Sequence, residues 1–125
     1  MTPRCILRIV ACAALFAVAC AGSTGQPTRT FKPNEVQMLE QGDQEKWTYG
    51  PTLLKVARGT TVTFVNRGKE FHTVTSDDPG RPFDISLDTN TTKTFSFDTV
   101  GTFAYHCGVH PQMKGVIQVC DGACG

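Results

Sequence analysis

From residue 31 to residue 119 the chain repeats one pattern: short runs in which every second side chain is apolar, separated by turn residues. Val36 and Met38 share one phase, as do Leu54 and Val56, then Val62 and Phe64, then His72 and Val74. Phe83, Ile85 and Leu87 follow, then Phe95 and Phe97, then Phe103, Tyr105 and Cys107, and last Ile117 and Val119. Successive side chains of a strand point to opposite faces, so a period of two marks strands with one face in a core. Arg58-Gly59, Asn66-Arg67-Gly68, the Asp- and Pro-rich stretch 77–82 and Val100-Gly101 are turn or loop signals between the runs. About eight strands and no convincing helix predict an antiparallel sandwich or barrel. The polar stretch 41–49 reads as a loop or a short helical insertion, with Trp47 and Tyr49 packing on the sandwich.

Composition narrows the class. The 125 residues carry a formal +1 and only 18% charged residues, against a usual ~25%, which argues against a disordered chain. No block of like charge offers a nucleic-acid face or an acidic tail.

The N-terminus reads as an address. Arg4 and Arg8 precede 11 apolar or small residues at 9–19. That run is too short for a bilayer, which needs about 20, and fits an export signal. Ala17-Val18-Ala19 satisfies the rule for ordinary signal cleavage. The same stretch with Cys20 resembles a bacterial lipobox, although Ala17 stands where Leu is preferred. Residues 20–30 are rich in Gly, Ser, Thr and Pro and read as a flexible tether, which favours lipid on Cys20 over a freely soluble exported protein. Removing residues 1–19 discards two arginines and two cysteines, leaving 10 basic and 11 acidic residues, a net −1. Residues 31–125 then form a single domain, expected to be monomeric.

The chemistry gathers in residues 105–115. Cys107, His110 and Met113 stand at spacing C-x2-H-x2-M, directly after one strand and before the last. Thiolate and thioether are soft ligands and imidazole is intermediate, a mixture that selects copper over hard cations. Zinc accepts Cys and His, but Met is a poor zinc ligand. Two His and one Cys with a weak axial Met is the blue-copper donor set, so a second His is needed. His106 adjoins Cys107 and points to the opposite face of its strand, where it packs or hydrogen-bonds. His72 shares the inward phase of Val74 and is the better candidate.

With these residues the chain resembles the cupredoxins, the type 1 blue copper proteins, in their amicyanin- and plastocyanin-like branch. The resemblance runs over about residues 31–119. It rests on Phe71-His72-Thr73-Val74, on Gly101-Thr102-Phe103-Ala104-Tyr105-His106-Cys107 and on Cys107-Gly108-Val109-His110-Pro111-Gln112-Met113. The two-residue gap between His110 and Met113 matches amicyanin's short loop. The resemblance implies a Greek-key antiparallel β-sandwich and one copper ion with His72, Cys107 and His110 equatorial and Met113 axial. Thr73 departs from the family pattern, since many relatives have Asn there to tie the ligand loops together. The family's supporting hydrogen bonds do not carry over automatically.

Four protein ligands leave no open position for water or substrate, which disfavours hydrolytic chemistry and an enzyme. The expectation is a one-electron carrier in the periplasm or cell envelope, docking redox-partner proteins near His110. The runner-up is a copper carrier or chaperone that delivers metal without cycling; a degenerate binding module is disfavoured by the complete donor set. Cys120 and Cys124 are expected to form a small tail disulfide rather than a second metal site. Asp77-Asp78 reads as a solvated loop pair, and the Asn90-Thr91-Thr92 glycosylation sequon is discounted for a bacterial chain.

Overall fold

The computed structural model describes residues 29–125. The readings of residues 1–19, of Cys20 and of most of the tether fall outside that range. Nine strands follow one another: β1 (Glu35–Leu39), β2 (Thr48–Gly50), β3 (Leu53–Ala57), β4 (Thr60–Asn66), β5 (His72–Ser76), β6 (Asp84–Leu87), β7 (Thr91–Phe97), β8 (Gly101–His106) and β9 (Lys114–Cys120). They form two sheets, ordered β2-β1-β4-β7 and β3-β9-β8-β5-β6. The in-phase residues Val36, Met38, Val62 and Phe64 of the first sheet share one buried cluster with Val74, Leu87, Tyr105, Ile117 and Val119 of the second. This is the all-β sandwich that the alternation predicts.

Two details differ from the antiparallel expectation. β1 pairs with β4, and β3 with β9, in parallel. Hydrophobic alternation specifies which face of a strand is buried, not its direction, and here direction follows from crossings between the sheets. The ninth strand lies in the polar stretch: Gln44–Lys46 is a short 3-10 turn, and Thr48–Gly50 then pairs with β1. Three residues are too few to show a period. Asp77 is also more than a solvated loop residue, because its carboxylate meets the ring Nδ1 of His106 on the outer side of β8.

Tyr105 shows how tightly the second sheet is fitted. Its fully buried ring lies opposite Gly115 in the β8–β9 register, and any Cβ at Gly115 would collide with the phenol. The neighbouring ring of Tyr49 sits edge-on at 4.8 Å, a favoured aromatic geometry. Cys120 and Cys124 form the expected disulfide at the C-terminal end.

Candidate metal centre

Two segments of the second sheet build the centre. His72 opens β5, and Cys107 follows the last residue of β8, at the start of a tight loop to β9. Backbone bonds fix that loop: the His110 N–H donates to the Cys107 carbonyl at 3.3 Å, Met113 N–H to His110 at 2.9 Å, and Cys107 N–H to Met113 at 3.1 Å. Such short closures hold Cys107 and His110 on one side and leave Met113 fully buried.

The structure brings His72, Cys107 and His110 together. Cys107 Sγ lies 3.8 Å from His72 Nδ1 and 3.7 Å from His110 Nδ1, and the two Nδ1 atoms are 3.2 Å apart. A circle through three atoms with these separations has a radius of about 2.1 Å, against bonds of about 2.0–2.3 Å from nitrogen or sulfur to a divalent first-row ion. The three donor atoms are therefore spaced so that one ion could be held by all of them. Among the described residues this is the one cluster of three or more such ligand side chains. With Met113 fully buried at the end of the same loop, the donor set fits one type 1 copper ion. His106 lies outside the cluster, hydrogen-bonded on the far face of its strand.

The surroundings favour a thiolate. Burial of Cys107 opposes ionisation, but hydrogen bonds from His72, from the Thr73 and Val109 amides and from His110 outweigh it and bring the thiol down to about 6. Burial also opposes a charge on His72, yet its contacts with Cys107 and Glu40 raise its basicity overall.

Thr73 takes on the tying role despite the changed residue type. Its N–H donates to Cys107 Sγ at 3.3 Å, and its hydroxyl accepts from the Gly108 N–H at 2.7 Å. The Thr73 and Thr75 hydroxyls are 2.8 Å apart, and Thr75 donates to Asp84 at 2.9 Å. With the amide at one end and the carboxylate at the other, every hydroxyl proton in this chain points toward Asp84.

Two contributors escaped the sequence reading. Trp47 packs on the sandwich as expected, but its ring also lies edge-on to both imidazoles, at 5.0 Å from His110 and 5.9 Å from His72. Gln112 donates to the Gln44 carbonyl at 2.7 Å, clipping the turn before Trp47 to the ligand loop. That Trp47 is the sole tryptophan was the available signal. The second contributor, Glu40, accepts a hydrogen bond from His72 Nε2 at 2.9 Å, and no local pattern marks it.

A sandwich carrying a Cys, two His and a buried Met at one end defines a mononuclear copper protein of the type 1 class. Comparison with known proteins agrees. A family model described as the cupredoxin-like domain matches residues 9–119, and the chain belongs to that family. A purple cupredoxin from Nitrosopumilus maritimus is similar at 25% identity and a TM-score of 0.62, over 69% of this chain and 98% of its own. A reduced amicyanin, in a variant with tyrosine in place of a tryptophan, is similar at 26% identity and a TM-score of 0.58, over 69% of this chain and 80% of its own. A copper-containing nitrite reductase from Thermus scotoductus SA-01 also matches, at 26% identity and a TM-score of 0.60, over 76% of this chain but 24% of that one. No match was found among curated proteins. Among the described residues, no helix is long and apolar enough to cross a membrane.

Proposed function

We propose that this protein is a single-electron carrier of the cell envelope rather than an enzyme, with His72, Cys107 and His110 as equatorial ligands and Met113 as the axial one. The observation that carries the reading is the close triangle of one sulfur and two nitrogens, with a buried thioether three residues after His110 on the same loop. A copper ion held there supplies one-electron chemistry, passing between Cu(I) and Cu(II). The chain's part is to keep the donors in place through both states. The backbone-locked loop and the Thr73 bonds to Cys107 and Gly108 limit how far the donors move. Burial of all four side chains limits access of water.

Electrons leave, in this reading, beside His110. His110 is 8% exposed, while Val109 is 50% exposed and Gly108, Pro111 and Gln112 also reach solvent. These neighbours are uncharged and form a small collar on which a redox-partner protein can sit closely. The export signal and the lipobox-like Cys20 support a lipid-tethered domain near a membrane surface. The test is repeated mixing of copper-loaded protein with a one-electron reductant and then an oxidant, in the presence of a copper chelator. Cycling with copper retained supports the carrier; loss of copper to the chelator on first reduction supports a delivery role instead.

A further inference from the structure

Glu40 stands just beyond the end of β1, in the opposite sheet from His72 and 32 positions before it. Its carboxylate is held from three directions. Oε2 accepts from the Lys69 N–H at 2.8 Å, and Oε1 accepts both from the Glu70 N–H at 2.9 Å and from His72 Nε2 at 2.9 Å. Gly68 leaves the space that the carboxylate fills, since a Cβ there would collide with it. The side chain is 12% exposed and that of His72 is 0% exposed. The loop after β4 is thus wrapped around this one acid.

His72 Nδ1 faces Cys107 and His110 while Nε2 faces Glu40, so the two nitrogens have separate tasks. An ionised carboxylate only accepts hydrogen bonds, so the ring proton resides on Nε2 and the Nδ1 lone pair is free for a metal. A carboxylate at this position also makes the imidazole a stronger donor, and a fixed negative charge favours the more highly charged metal state. We propose that Glu40 is a positioning residue for the copper centre. It sets the tautomer and the plane of His72 and biases the centre toward Cu(II). This rests on the ligand assignment above and extends it to a residue that follows a strand of the other sheet.

The test measures Cu(II) and Cu(I) affinities by competition with chelators, in the wild type, Glu40→Gln and Glu40→Asp. Glu40→Gln removes the charge at nearly constant shape. Cu(II) binding should weaken about tenfold, with Cu(I) affinity changing less than about threefold. A full tenfold change in their ratio corresponds to about 59 mV in a one-electron potential. Glu40→Asp keeps the charge and should restore much of the ratio. A readout on the wild type does not depend on how the variants fold. In nitrogen-15 NMR of the diamagnetic Cu(I) form, His72 should carry its proton on Nε2 and exchange it slowly with solvent. Equal loss of both affinities, no loss of either, or a His72 proton absent from Nε2 would each overturn the proposal. A wild type that binds copper without cycling would refute the electron-carrier reading instead, with the affinity ratio still measurable.

Discussion

The Thr73 hydroxyl accepts a hydrogen bond of 2.7 Å from the Gly108 N–H, joining the residue after one imidazole to the residue after the thiolate. Asparagine is common at this point in the family, yet a shorter side chain makes the connection here because Thr75 and Asp84 align its proton. Thr73→Val keeps the shape and removes the oxygen. It should cost about 1–3 kcal/mol in denaturant unfolding, the range for an interior polar group that loses its partner. Thr73→Ser should stay near wild type. A valine variant as stable as wild type would show that the hydroxyl chain contributes nothing.

The two buried tyrosines should respond in opposite ways. Tyr49 donates to the Thr73 carbonyl at 2.5 Å, whereas the Tyr105 hydroxyl is buried without a partner. Tyr49→Phe should lose about 1 kcal/mol, and Tyr105→Phe should be neutral or gain up to about 1 kcal/mol. Thermal unfolding of the two variants checks the contrast. A clear loss at Tyr105→Phe would mean that its hydroxyl is bonded.

In the metal-free protein the Cys107 thiol is held down to about 6 from its ordinary 9.0; burial works against this, and the bonds from His72, Thr73, Val109 and His110 prevail. The folded value lies below the unfolded one. The contribution to stability is therefore complete above about pH 9 and falls away as the pH drops through 6. His72 acts in the opposite sense, because its folded value is raised: its contribution is complete in acid and is lost as the pH rises. Thiolate ultraviolet absorbance, with Cys107→Ser as blank, should show a midpoint near 6. A midpoint near 9 would mean that the imidazoles and amides do not stabilise the thiolate.

The collar around His110 predicts a kinetic effect without a spectroscopic one. Pro111→Glu places a charge among Gly108, Val109 and Gln112 and removes no ligand. Electron exchange with a physiological partner should slow, while copper content and the visible spectrum stay close to wild type. Unchanged rates at matched driving force and ionic strength would move the exit away from His110.

What the sequence makes legible follows from distance along the chain. Cys107, His110 and Met113 share one loop, so their spacing is itself a geometric statement, and His72 joins them because strand phase points it inward. The core residues Val36, Phe64, Val74 and Ile117 are legible for the same reason. Strand direction is not encoded in a period of two, so the parallel β1–β4 and β3–β9 pairs were hidden. Glu40 and Trp47 reach the imidazoles only once the first sheet is laid over the second, which no local pattern records.

The most direct test of the account is a spectroelectrochemical titration of the copper-loaded protein, following the thiolate-to-copper band through reduction and reoxidation. One copper per chain, an intense visible band absent in Cys107→Ser, and a single reversible one-electron transition are predicted. A protein that binds copper without that band, or whose band is bleached once and does not return, would contradict a type 1 electron carrier.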